Sequence, residues 1–162
     1  MKGRIRDYTE KQIDKLTSYI RRKYRLRKFE VQKFVSFDDR RLYSWGGIKD
    51  GGKPFINLAI NYGMCKSACL KGEEIDLFEY EDYEHHPLIG AAPTKNWKFY
   101  IFRLVCHELA HCVELYPMRN EKRLKFHNKQ SIKDSPNSGH GKLFQEIYID
   151  LVKNNWNFES GK

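Results

Sequence analysis

The chain has 162 residues and a mass of 19.4 kDa, about the size of one domain with a core large enough to fold alone. Hydrophobic residues make up 40% of the sequence, but charged residues interrupt every apolar run, so no segment reaches the ~20 apolar residues of a membrane span. The first thirty residues lack the apolar stretch of a signal peptide, and the four cysteines form no C-x-x-C pair. We therefore expect one cytoplasmic domain over residues 1–162, with reduced thiols and no membrane contact.

The positive charge is concentrated near the N-terminus and is opposed by an acidic stretch. The formal net charge is +9, yet residues 71–86 contain seven acidic residues and one lysine. Six of the eight residues from 21 to 28 are basic, and we call them the basic cluster: Arg21, Arg22, Lys23, Arg25, Arg27 and Lys28. Because lysine and arginine release condensed counterions when they bind phosphates, this cluster predicts contact with DNA, single-stranded or duplex. The alternative interpretation is a solvated helix end.

Hydrophobic patterns in the first third of the chain predict one helix followed by a small sheet. Thr9 and Gln12 have the spacing of a capping box, and apolar residues follow at helical intervals, which predicts a helix over about 9–26. Apolar runs separated by Asp-Asp and Asp-Gly-Gly turn signals predict strands over 29–37, 41–48 and 54–62. We expect these strands to form an antiparallel meander.

The rest of the chain is predicted to contain two helices joined by a basic connector. Residues 63–93 lack periodicity and include the acidic stretch, so we expect an inserted loop that acts as a lid. From about residue 96 to Pro117, apolar residues occupy almost the whole helical circumference, which predicts a buried helix. Residues 118–138 form the Lys-rich connector, and a last helix is predicted over about 138–155. The predicted fold class is α+β.

The predicted buried helix contains His107-Glu108-Leu109-Ala110-His111, an H-E-x-x-H motif. Residues four apart lie one turn apart on a helix, so both imidazoles can reach one metal ion. Glu108 lies about 100° around the helix axis from His107, where a general base for water is expected. Burying these three polar side chains without partners would be costly, so metal coordination accounts for them better than packing does.

A catalytic zinc ion usually takes a third protein ligand and leaves its fourth position to water. His140 is our first choice because it is in phase with the apolar residues of the last predicted helix, on the side that must face the buried helix. His127 and Glu146 are the alternatives for this position. His85 and His86 lie in the acidic stretch and are expected to be surface residues or lid contacts.

The segments CHELAHCVELY and SGHGKLFQEIY together resemble the SprT-like (Spartan-type) zinc metallopeptidases, and the resemblance extends over most of the chain. It implies a zincin-like minimal domain with an N-terminal helix, a small antiparallel sheet, the H-E-x-x-H helix and a C-terminal helix that carries the third ligand. It also implies that His107, His111 and His140 bind one zinc ion per chain and that Glu108 is catalytic. Substrates would be proteins bound or crosslinked to DNA, in the cytoplasm at the nucleoid or its equivalent.

Two features of the chain depart from this family. Many members have a C-terminal zinc ribbon of paired C-x-x-C motifs, which this sequence lacks, so we expect the basic cluster to contact DNA instead. The connector between His111 and His140 is also long, and the acidic stretch before the buried helix has the character of an addition.

The predicted activity is metal-assisted peptide hydrolysis with Glu108 as general base. An extended substrate would pair with an exposed sheet edge, for which the strand predicted over 54–62 is the best candidate. Two other functions fit the same sequence. One is a nucleic-acid-binding module with a structural or catalytically silent zinc site, and the other is a zinc hydrolase that acts on a different bond.

Overall fold

The structure is a computed structural model that describes residues 1–37, 44–75, 93–117, 126 and 140–156. Over these residues the fold is α+β, as predicted, with four helices of at least ten residues and one three-stranded sheet. The elements are α1 (Lys2–Lys23), β1 (Gln32–Phe37), β2 (Trp45–Lys49), β3 (Lys53–Ile60), α2 (Tyr62–Lys71), α3 (Trp97–Leu115) and α4 (Lys142–Asn155). In this part of the chain, no helix combines the length and the apolar character that crossing a bilayer requires.

Helix α1 begins at Lys2, seven residues before the predicted start at Thr9. The predicted capping box is wrong, because Thr9 is buried inside the helix and its hydroxyl donates to the carbonyl oxygen of Ile5 at 2.7 Å. The buried stripe of α1 already includes Ile5, so burial of this residue favours two further turns ahead of Thr9.

The sheet has the strand order β1-β3-β2, with β1 parallel and β2 antiparallel to β3. The expected antiparallel meander is therefore wrong. Only the β2–β3 hairpin follows the prediction, and its turn uses Gly51 and Gly52, both at positive φ. Ile56, Leu58 and Ile60 of β3 are fully buried, and this most apolar strand occupies the centre of the sheet. Since both edges of β3 are already paired, this strand cannot receive a substrate, and that expectation is wrong as well.

Helix α2 spans Tyr62–Lys71, so it takes in the end of the strand predicted over 54–62 and the start of the loop expected over 63–93. The Asn61 side chain accepts from the backbone N–H of Met64 at 2.9 Å and caps the helix, and Gly72 ends it at φ +67°. Only Cys65 and Ala68 are buried, which explains why hydrophobic periodicity gave no signal. Residues 76–92 of the expected lid lie outside the described residues. On either side of them, Ile75 and Thr94 pair through backbone hydrogen bonds of 2.8 and 3.1 Å.

Helix α3 forms the centre of the fold and confirms the predicted buried helix. The Asn96 side chain caps its first turn, and fourteen of its nineteen residues are buried. The sheet packs along one side of α3, while α1 and α4 pack along others. Helix α4 begins at Lys142, four residues later than predicted, so His140 lies just before its first turn. The connector over 118–138 lies outside the described residues except for Phe126, whose ring packs edge-on against Tyr24 at 5.6 Å.

Candidate metal centre

Three imidazoles converge between α3 and the start of α4. The Nε2 atoms of His111 and His140 are 3.1 Å apart, and those of His140 and His107 are 3.3 Å apart. His107 and His111 lie one turn apart on α3, whereas His140 arrives from the chain that enters α4. The structure therefore brings together the three histidines predicted as metal ligands.

The spacing of these nitrogens matches a metal site. For a tetrahedral ion with Zn–N bonds of about 2.0–2.1 Å, neighbouring ligand nitrogens lie roughly 3.3–3.4 Å apart. Both Nε2 separations are within about 0.3 Å of that length, and candidate ligand atoms of all three histidines lie within 4.8 Å of one another. One ion can therefore be held by all three rings, and three nitrogen ligands leave further coordination positions for water or substrate.

Two aromatic rings of α4 pack against one side of the imidazoles. The ring of Phe144 packs against all three histidines, with centroid distances of 5.0, 4.5 and 4.7 Å to His107, His111 and His140. Tyr148, one turn further along α4, packs edge-on against His107 at 5.6 Å. These aromatic rings exclude water from one side of the site and limit rotation of the imidazoles.

Burial keeps the histidines in the neutral form that metal coordination requires. Loss of hydration lowers the pKa of His107 well below its usual value, and the neighbouring His111 and His140 lower it further. Burial and the proximity of His140 lower the pKa of His111 to about 4. At neutral pH both imidazoles are therefore uncharged and offer a lone pair to an ion.

Polar groups lie behind two of the imidazoles. The Oε2 oxygen of buried Glu114 is 4.0 Å from Nδ1 of His111, the ring nitrogen that does not take part in the close Nε2 contacts. Arg103, also buried, donates from Nε to the Tyr148 hydroxyl at 3.2 Å, and Tyr148 in turn packs on His107. Such supporting groups hold ligand rings in place and tune their basicity.

Glu108 lies on the part of α3 that touches the sheet, and its side chain is buried. A methyl group at Gly46 of β2 would overlap the carbonyl oxygen of Glu108 and lie 2.8 Å from its carbonyl carbon, so only glycine permits this approach. One turn later, the Cys112 sulfur lies 3.5 and 3.2 Å from the carbonyl oxygens of Gly47 and Phe55, which share its single S–H donor. Burial, and to a smaller extent Glu108, raise the pKa of this thiol to about 12, so it remains protonated.

Of the other candidates for the third ligand, Glu146 is among the described residues. It lies on α4 and does not belong to the three-residue group found in the described ranges. His127, His85 and His86 lie outside the described residues.

All six residues of the basic cluster are exposed. The chain between them is anchored by buried Tyr24, Leu26 and Phe29, so the charges extend into solvent from a fixed backbone. Lys23 is partly neutralised, because its Nζ lies 3.4 Å from an Asp150 oxygen. Arg25 adopts a left-handed conformation at φ +52°, where α1 has ended.

Sequence reasoning missed several residues that shape the site. Gly46 and Gly47 together interrupt an apolar run, which is a signal for close backbone approach within a strand. Arg103 is a charged residue in the middle of the all-apolar helix pattern, four positions before His107, which is a signal for a buried polar contact. The hydroxyl partner Tyr148 is distant in sequence and gave no signal.

The chain was compared with protein-family models, with curated proteins and with solved structures, and no match was found in any of the three comparisons.

Proposed function

We propose that the chain is a zinc-dependent metallopeptidase of the SprT-like type, with a zincin-like arrangement of its α+β fold. The observation that supports this most directly is the combination of three converging imidazoles with a buried glutamate, Glu108, directly after the first of them. A site built only to hold a metal has no need of an acid at this position.

The number of ligands also favours a catalytic over a structural site. Structural zinc sites are closed by four protein ligands, whereas catalytic sites have three and an open position. The described ranges supply three, His107, His111 and His140. This count weighs against the alternative of a binding module with a structural zinc ion.

The proposed reaction is hydrolysis of a peptide bond. When bound, zinc supplies Lewis acidity, which makes water a nucleophile near neutral pH and polarises the scissile carbonyl. Glu108 accepts the proton from water and returns it to the leaving amine. Phe144 and Tyr148 exclude bulk water from one side of the site. Glu114 lies beside His111, and Arg103 donates to Tyr148, which packs against His107.

The substrate is proposed to extend along β2. This strand forms one end of the sheet order, so its outer edge is unpaired within the described residues. Its Gly46 touches the backbone of Glu108, which makes this the sheet edge nearest the glutamate. A peptide added there would pair through backbone groups, which read few side chains. Selection of substrates would then depend on their location, and we propose that the basic cluster supplies it by binding DNA in the cytoplasm, at the nucleoid or its equivalent.

The test is cleavage of a panel of DNA-binding proteins by the zinc-loaded chain, with and without DNA, beside the Glu108→Gln variant. Glutamine preserves the shape of the side chain but cannot accept the proton, so the variant should retain zinc and lose at least about 100-fold in rate. Equal cleavage by both proteins would remove Glu108 from the base role. A zinc-loaded wild type that cleaves none of the panel would favour the structural site or hydrolysis of another bond.

A further inference from the structure

The sheet has a second face, which points away from α3, and its composition is unusual. Side chains alternate along a strand. Gly46 faces α3, and Ile56 and Leu58 are fully buried, so their neighbours in each strand point outward. The strand register places these outward residues in rows across the sheet. We call them the outer face, of which Gly47 and Ala59 are buried and the others are exposed or half-buried: Gln32, Phe34, Ser36, Trp45, Gly47, Lys49, Lys53, Phe55, Asn57 and Ala59.

Two exposed aromatic side chains occupy one row of the outer face. Phe34 is 50% exposed and Trp45 is 51% exposed, although side chains of this kind are usually covered. Both pair with Asn57 of the central strand, Phe34 from the parallel side and Trp45 from the antiparallel side. With neighbouring strands about 4.8 Å apart, the two aromatic residues stand roughly 10 Å apart with an amide between them.

The charge around these rings is positive. The Nζ of Lys49 lies 4.8 Å from the centroid of Phe34 and 5.2 Å from that of Phe55, and it donates to Gln32 Oε1 at 3.2 Å. Lys53 pairs with Lys49 across the hairpin. The three strands contain no acidic residue. The outer face therefore combines flat apolar rings with lysines and one central amide.

This combination fits one class of ligand better than others. Single-stranded nucleic acid presents unstacked bases that lie flat on aromatic rings, phosphates that attract lysine, and base edges that hydrogen-bond to amides. In a duplex the bases are stacked on one another, so the two rings could not reach their faces. An acidic peptide would satisfy the lysines, but it offers planar rings only where it happens to carry aromatic side chains, whereas every nucleotide carries a base.

We propose that the outer face binds single-stranded nucleic acid, with bases stacked on Phe34 and Trp45 and phosphates held by Lys49 and Lys53. This surface is distinct from the basic cluster. It does not depend on peptidase activity or on a bound metal. Trp45 directly precedes Gly46, the residue that touches Glu108, so the bound strand would lie across β2 from the metal centre.

The experiment uses the full chain in EDTA, a fluorescein-labelled oligo(dT) of fifteen nucleotides and a duplex of equal length. We expect tighter binding of the single strand. Phe34→Ala and Trp45→Ala should each raise Kd at least about fivefold, the loss typical of one stacked base. The matched control is Leu70→Ala on α2, which removes a hydrophobic side chain that is 69% exposed elsewhere. It should leave Kd unchanged.

Trp45 also provides a spectroscopic readout. The other tryptophans are more covered, Trp97 at 6% exposure and Trp156 packed against Phe99 and Phe102. Oligo(dT) should therefore quench the fluorescence of the wild type, and Trp45→Phe should retain most of the affinity while it loses the quenching.

Equal affinity for single strand and duplex, or alanine variants with wild-type Kd, would overturn the proposal. It would also be overturned if the alanine variants bound normally but dissociated a dimer of the wild type in sedimentation. The outer face would then be an interface between two copies of the chain. Failure of the peptidase assay would leave these binding results unaffected.

Discussion

His140 completes the candidate metal centre from outside α3. It lies one residue before the N-cap of α4, and its Nε2 meets the two α3 imidazoles at 3.1 and 3.3 Å. A helix alone can present two ligands one turn apart, so the third determines whether an ion is enclosed. The Gln145 side chain donates to the His140 carbonyl at 3.3 Å and helps to fix this residue.

We predict that His140→Ala weakens zinc binding by more than roughly 100-fold. Loss of a group that only supports a metal ligand already weakens binding by roughly 10- to 100-fold. The physical reason is that two imidazoles remain to hold an ion that three enclose. Competition with a chelating dye measures the affinity. Glu146→Ala is the control on the same helix and should bind zinc as the wild type does. If His140→Ala keeps full zinc affinity while Glu146→Ala or His127→Ala loses it, the assignment of His140 as the third ligand is wrong.

A second prediction at the residue scale concerns pH. Burial lowers the pKa of His111 from 6.5 to about 4 and that of His107 well below its usual value. Between pH 6.5 and about 4, the unfolded chain binds protons at these histidines that the folded chain does not bind. The free energy of unfolding must therefore decrease as the pH falls through this range. For His111 alone the shift corresponds to up to roughly 3 kcal/mol.

Urea unfolding of the metal-free protein between pH 7 and 4.5 measures this loss. Carboxylates also titrate at the acid end, so the comparison is with His111→Gln, which should lose less stability over the same range. Parallel pH profiles for the two proteins would contradict the prediction.

At the scale of elements, the contact between β2 and α3 determines where the sheet edge meets the metal centre. Gly46 allows the strand to lie against the Glu108 carbonyl, and Cys112 donates to the next strand residue, Gly47. A side chain larger than hydrogen at Gly46 must separate the two elements, because the atoms it would meet belong to helix backbone and cannot rotate away.

We predict that Gly46→Ala lowers the free energy of unfolding by about 1–3 kcal/mol, the usual cost of overpacking a core. Gly47→Ala is the matched control, since a methyl group there would meet a Phe55 ring carbon at 3.4 Å, an ordinary contact. It should cost less than Gly46→Ala. Chemical denaturation measures both variants, and a Gly46→Ala protein as stable as the wild type would show that strand and helix are not packed in this way.

At the scale of the whole molecule, α1 separates two groups of basic residues, one at each of its ends. The helix has 22 residues, which is about 33 Å at 1.5 Å per residue. The basic cluster lies where α1 ends and beyond, and all its side chains are exposed. Cations are favourable at a helix C-terminus, so part of the cluster stabilises α1 regardless of any ligand.

We predict that the association constant for DNA falls with salt, by roughly 0.7 log units for a single strand and 0.9 for a duplex per log unit of salt concentration for each phosphate contact. Changing Arg21, Arg22, Arg25 and Arg27 to glutamine should flatten this slope and abolish stimulation of cleavage by DNA. Zinc content should not change. Titrations at several salt concentrations measure the slope.

The control removes equal charge from the other end of the same helix. Lys2, Arg4, Arg6 and Lys11 are also exposed, and their change to glutamine should affect the slope less. If both quadruple variants flatten the slope equally, binding follows net charge and the basic cluster is a solvated helix end.

The sequence by itself determined the parts of this protein that depend on neighbouring residues. Helical geometry is local, so the motif placed His107 and His111 side by side before any fold was known. Apolar residues around the whole circumference predicted the burial of α3, and the Asp-Gly-Gly turn predicted the β2–β3 hairpin. The start of α1 was misjudged because Thr9 has the spacing of a cap, while the burial of Ile5 depends on contact with the rest of the core.

The tertiary structure decided whatever depends on contacts between residues distant in sequence. Strand alternation is the same for a central and an edge strand, so only packing revealed that β3 lies between β1 and β2. Glu146 remained an alternative to His140 until the approach of α4 to α3 brought three nitrogens together, and the further alternative, His127, lies outside the described residues. Likewise, alternation placed Phe34 and Trp45 on one side of their strands, but only the position of α3 determined that this side faces solvent. Pairing and packing join distant segments, and their energies cannot be read from a local pattern.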